Sequence, residues 1–128
     1  MKLLVLFSLV VAGIVAAPGH AQVRAAERLK LQVTPAVAIA PAWVRIRALV
    51  EHDAENRAIE IVADSEHFFR RSVVQLDGEA APKVNELLIK DAPGGFYDIT
   101  VTLFDARGSR AVAHQSLQIV GAGADERR

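Results

Sequence analysis

Between Trp43 and Glu51 the chain alternates with a period of two. Val44, Ile46, Ala48 and Val50 form an all-apolar face, opposite Trp43, Arg45, Arg47, Leu49 and Glu51. That period is the pattern of a half-buried strand; a helix would not collect those four apolar residues on one side. The alternation returns in Tyr97, Ile99, Val101 and Leu103 against Asp98, Thr100 and Thr102. Ile59, Ile61 and Ala63 repeat it, and Ala111, Ala113, Leu117 and Ile119 share one face of Arg110–Val120.

Turn-forming clusters separate these runs at His52–Asn56, Asp64–Glu66, Asp77–Glu79, Asp91–Gly95 and Asp105–Ser109. The last predicts a hairpin loop of three to five residues, with Gly108 free to take a positive φ. Leu29–Val33 predicts a further strand. Pro35 and Pro41 restrict Ala36–Ala40 to an edge strand or an irregular extended segment. Phe68–Leu76 divides its apolar residues between both parities, which predicts a bulge or packing on both faces. Lys83–Lys90 holds Leu87, Leu88 and Ile89 in a row and is open between strand and short helical turn, with its neighbours favouring strand. No stretch reads as a long amphipathic helix. The fold class is therefore all-β, an antiparallel β-sandwich of about seven strands, with a small closed barrel as the alternative.

At the N-terminus Lys2 precedes Leu3–Ala17, an apolar run of about fifteen residues, closed by Pro18-Gly19-His20-Ala21. Small residues at Gly19 and Ala21 predict signal-peptidase cleavage after Ala21; Pro18 disfavours a cut after Ala17. A membrane-spanning helix needs roughly 20 apolar residues, so a retained anchor is the lesser reading. The expected layout is a signal peptide over 1–21, a flexible arm over 22–28, a β-sandwich domain over 29–120 and a disordered tail over 121–128. The expected location is the periplasm or the outside of the cell.

The whole sequence carries 15 Lys and Arg against 15 Asp and Glu, and cleavage removes only Lys2 from that balance. Near-neutral, interspersed charge gives no electrostatic footprint for nucleic acid or an anionic membrane. The absence of cysteine excludes disulfides, thiolate zinc sites, thiol redox chemistry and a lipoprotein attachment point. No cofactor is expected. The partner class is a protein or a cell-envelope polymer, with no nucleic acid and no stable membrane insertion after cleavage.

The segment Ala92–Gly108, which runs Pro93-Gly94-Gly95-Phe96-Tyr97-Asp98 into an alternating strand and a Gly turn, resembles the penultimate strand and last hairpin of immunoglobulin-like and fibronectin type III domains. The resemblance covers about 90 residues in layout and about 17 in motif. It implies an immunoglobulin-like sandwich in which Tyr97 is the tyrosine-corner residue, bonding back to backbone between Leu88 and Pro93. The chain departs from disulfide-containing immunoglobulin domains by lacking both cysteines, and Trp43 sits early in its strand.

Trp43, Arg45 and Arg47 share a strand face and, with Phe68 and Phe69, are the candidate binding residues. Stacking rings beside guanidinium groups suit a glycan or an acidic peptide. The competing expectation is an outer sheet face whose arginines pair with Glu51, Glu60 and Glu86. His52, His67 and His114 are the imidazoles left after cleavage. His52 lies within the Glu51–Glu55 carboxylate cluster, yet no recognised metal-loop spacing is present. Ser65, Ser72, Ser109 and Ser116 lack a nucleophile-elbow context, and no residues are assigned to catalysis or metal binding. The chain therefore reads as an exported, non-catalytic interaction or structural accessory module. The alternatives are a small carbohydrate-binding module and a small metal-binding protein or hydrolase.

Overall fold

The structure, a computed structural model, describes residues 28–121; the expected signal peptide, nearly all of the arm and nearly all of the tail lie outside the described residues. Eight strands follow in order: β1 (Leu29–Thr34), β2 (Val37–Ile39), β3 (Ala42–Val50), β4 (Ala58–Ser65), β5 (Phe68–Gln75), β6 (Val84–Ala92), β7 (Gly95–Asp105) and β8 (Gly108–Val120). A single 3-10 turn at Gly78–Ala80 interrupts the connection from β5 to β6. The strands form two open sheets, β1-β3-β6 and β2-β8-β7-β4-β5, rather than one closed barrel. Every pairing is antiparallel except that of β2, which runs parallel to β8. The result is an all-β sandwich.

The alternating residues meet between the layers. Val44, Ile46, Ala48 and Val50 of β3 are all buried, and they face a second layer that includes Ile59, Ile61, Ile99, Val101, Leu103, Leu117 and Ile119. Each fully buried Val, Leu or Ile contributes about 1.5–3 kcal/mol relative to exposure, so a cysteine-free domain of this size has a core to fold on. Tyr97 lies in the same layer, and its hydroxyl donates to the Pro93 carbonyl at 2.6 Å. That is the bond implied by the resemblance. The Tyr97 ring also packs against Phe68, with centroids 5.8 Å apart.

The Lys83–Lys90 run is strand, as favoured, within β6: Leu87, Leu88 and Ile89 pair with β3 in continuous register. Two local expectations need amendment. Phe68–Leu76 contains no bulge: β5 follows β4 without a shift from Ser65↔Phe68 to Ala58↔Gln75. Its apolar residues fall on both parities because it is an edge strand with most of its residues exposed. Register shifts lie instead between Ala42 and Val44 in the β3–β6 pair and in the last hairpin, where Leu103↔Ala111 and Phe104↔Ser109 leave Arg110 as the extra residue. That hairpin is also tighter than expected, since Asp105 faces Gly108 directly. The Asp105 carboxylate accepts the backbone N–H groups of Arg107 and Gly108 at 2.7 and 3.1 Å.

Candidate functional site

The two outer faces of the sandwich differ in character. On the three-stranded sheet, Arg45 and Arg47 both reach Glu86, with N–O distances of 3.1 and 3.7 Å. Trp43 is 59 % exposed, and the Lys90 ammonium sits 5.3 Å from the centroid of its ring. The three candidate residues of β3 therefore do share one face, but each is already engaged by a neighbour on β6. Of the glutamates expected to pair with these arginines, Glu86 is the one that does so. Glu60 instead pairs with Arg71 at 2.7 Å on the other sheet.

Phe68 and Phe69 are not part of that surface. Both belong to β5, in the five-stranded sheet, where Phe68 turns inward against Tyr97 and Phe69 points outward, 63 % exposed. Trp43 and Phe69 thus lie on the outer faces of opposite sheets and cannot jointly stack one ligand.

The outer face of the five-stranded sheet carries a feature that no sequence window displays. The exposed large apolar side chains among the described residues are Val37, Ile39, Trp43, Phe69, Val73, Val74, Val84, Phe96, Val112 and Val120. The register puts all but Trp43, Val74 and Val84 on this one face. Four of them converge at a corner. Phe96 lies opposite Gln118, which lies opposite Val37; Ile39 lies opposite Val120 one row further on. Phe96 is 77 % exposed, Ile39 70 % and Val37 62 %. Contiguous exposed apolar groups are candidates for contact surfaces when they exceed a few hundred Å². A shallow depression of about 690 Å³ adjoins the corner, lined by Pro41, Asp91, Gly94, Phe96 and Val120 among others.

One row from Phe96, Asp64 and Asp98 stand directly opposite each other on β4 and β7, and Phe69 is opposite Asp64. Like charges in directly opposed positions repel. Asp98 is partly relieved by His114 Nε2 at 3.1 Å. The face is therefore apolar at its corner and acidic beside it.

The other histidines sit elsewhere: His52 in the loop after β3 and His67 in the turn between β4 and β5. Among the described residues, no group of three or more His, Asp or Glu is arranged to hold a metal ion. The loop around His52 is bonded to the rest of the fold. Asn56 is buried, donates to the Glu51 carbonyl at 2.8 Å and accepts from Arg110 at 2.9 Å. Arg110 also reaches Asp53 at 3.3 Å. The Asp53 carboxyl is held below the usual aspartate range, chiefly by the backbone N–H of Glu55 and then by Arg110. This network pins the β3–β4 loop to the β7–β8 hairpin. Sequence reading missed it because its partners lie more than fifty residues apart.

No family model matches the chain, and no curated protein matches it. Solved structures do resemble it. The superoxide reductase (neelaredoxin) from Ignicoccus hospitalis gives a TM-score of 0.57 at 16% identity, covering 71% of this chain and 79% of that one. The sulfur carrier protein SoxY from Chlorobium limicola f thiosulfatophilum gives 0.58 at 13% identity, covering 73% and 79%. At these identities the likeness shows the β-sandwich fold alone.

Proposed function

We propose that this chain is an exported, non-catalytic interaction module that binds a protein partner through the outer face of its five-stranded sheet. The observation that carries this reading is the corner formed by Val37, Ile39, Phe96 and Val120. Completing the burial of four such side chains is worth roughly 4–6 kcal/mol, which sits at the low end of the entropic cost of association, about 4–15 kcal/mol. The corner alone therefore supports only a weak contact. A stable complex has to extend across the face towards Phe69 and Val112, and there it meets the opposed carboxylates Asp64 and Asp98. The complementary partner is apolar with a Lys or Arg placed to meet them.

Export rests on the leader read in residues 1–21, and the periplasm or the cell exterior is the compartment it implies. The glycan-binding alternative has less support, because Trp43 and Phe69 face away from each other and Lys90 already occupies the Trp43 ring. The test is affinity capture from the envelope fraction, comparing the wild type with the double variant Ile39→Ser, Phe96→Ser. A protein retained by the wild type and lost by the folded variant supports the reading. Retention by both, or by neither, rejects it.

A further inference from the structure

We propose that β5 is a self-pairing edge through which two copies of this chain join antiparallel, merging their five-stranded sheets into one continuous sheet. The observations behind it are separate from the apolar corner. β5 lies at the end of its sheet, and among the described residues β4 is its only strand neighbour. The Leu76 N–H donates to the Arg57 carbonyl at 2.8 Å, one step beyond the Ala58↔Gln75 pair. Antiparallel alternation then turns the even-numbered backbone groups of β5 towards β4. The N–H and C=O groups of Phe69, Arg71, Val73 and Gln75 are left pointing outward.

Natural sheets blunt such edges with charged side chains, proline, bulges or brevity, and of these β5 carries only charge, in Arg70 and Arg71. The opposite edge, β2, spans three residues between Pro35 and Pro41. β5 has eight residues, no proline or glycine, and an unbroken register. Of its two charges, that of Arg71 is met by a carboxylate within the protomer, while Arg70 reaches only a backbone carbonyl. Arg71 pairs with Glu60 at 2.7 Å, and Arg70 turns to the Leu88 carbonyl at 3.4 Å.

The sequence of β5 fits a second copy of itself with the two-fold centred on Ser72. A pairing that keeps the outer faces continuous sets outward-bonding residues opposite each other. Centring the two-fold on Arg71 opposes two guanidinium groups, which is unfavourable. Centring it on Ser72 sets Arg71 opposite the second copy's Val73, Arg70 opposite its Val74 and Phe69 opposite its Gln75. Val73 and Val74 are both exposed, one on each face of the strand, and each then receives the aliphatic stem of an arginine. An acidic extended peptide is the rival occupant of the edge.

The chain lacks cysteine, so a single introduced thiol reports on the register. Opposed residues of a non-hydrogen-bonded pair have Cα atoms about 4.5 Å apart, inside the range a disulfide spans. Under mild oxidation the Ser72→Cys variant is expected to form a covalent dimer. The Gln75→Cys variant is not, because its two copies lie about 20 Å apart along the strands. Mixing Gln75→Cys with Phe69→Cys restores the cross-link. Val73→Pro removes only an outward N–H and is expected to shift the sedimenting species from dimer to monomer. The proposal is overturned by a wild type that stays monomeric at millimolar concentration, as peptide occupancy requires. Equal cross-linking of Ser72→Cys and Gln75→Cys overturns it too. So does a dimer indifferent to Val73→Pro; should that variant fail to fold, the cysteine pattern decides alone.

Discussion

Arg110 reaches back 54 residues to donate to the side-chain oxygen of Asn56 at 2.9 Å, and this bond ties the β3–β4 loop to the last hairpin. The Arg110 side chain is only 9 % exposed, and it also faces Asp53 at 3.3 Å and Asp105 at 3.8 Å. Replacing it by Met leaves the buried Asn56 oxygen without its donor. The expected loss is about 2–3 kcal/mol, read as a lower urea midpoint at unchanged slope. Arg110→Lys should not restore the loss, since a single ammonium cannot reproduce the forked contacts to Asn56 and Asp53.

Asp53 gives the same network a pH signature. Its carboxyl is held below the ordinary range, first by the Glu55 N–H and then by Arg110. The folded protein therefore binds fewer protons here than the unfolded chain between the two pKa values. The contribution is fully present above about pH 4 and is lost as pH falls through the lowered folded value. Urea midpoints measured from pH 5 down to pH 2 should fall less steeply in Asp53→Asn than in the wild type. An unchanged slope would remove Asp53 from the acid limb.

Tyr97 acts at the alkaline end. Burial raises its hydroxyl pKa, so the folded state resists ionisation more than the unfolded one. Stability from this group is intact below about pH 10 and is lost as pH rises through the raised folded value. Tyr97 is the single tyrosine of the sequence, so tyrosinate absorbance reports on it alone. That absorbance should appear at higher pH in the folded protein than in urea. Tyr97→Phe, which strands the Pro93 carbonyl, should cost about 1–2 kcal/mol at neutral pH.

Gly78 opens the 3-10 turn with φ at 52°, and a Cβ there would sit 3.0 Å from the Ala54 carbonyl oxygen. Left-handed backbone costs an L-residue about 1–2 kcal/mol, and the backbone neighbour cannot swing aside as a side-chain tip would. Gly78→Ala should lower the thermal midpoint by several degrees for a domain of this size. A change within error would mean that the turn relaxes freely.

The strands whose two faces differ in polarity were legible in the sequence. Val44 to Val50 and Tyr97 to Leu103 needed only their period, and the resemblance to immunoglobulin-like domains implied Tyr97 as the corner residue. β5 is legible as a strand but not in its detail: an edge strand lacks the one-sided burial on which alternation depends, so its apolar residues fit a bulge as well as partial packing on both faces. Lys83–Lys90 stayed ambiguous because three consecutive apolar residues fit either period. The contact face was harder still. Phe96 belongs to β7, where Asp98, Thr100 and Thr102 follow it on the outer face, while Val37 and Ile39 lie near sixty residues upstream. Only the β2–β8–β7 register brings them into adjacent rows. Trp43, Arg45 and Arg47 were conspicuous by type, yet their partners Lys90 and Glu86 come from β6 and were invisible until the strands were paired.

The contact face is tested most directly by site-specific photo-cross-linking in the intact cell, with a photoreactive phenylalanine placed at Phe96 or at Trp43. A discrete protein adduct from position 96 and none from position 43 is the predicted result. Adducts from Trp43 alone would move the working surface to the three-stranded sheet and contradict the account.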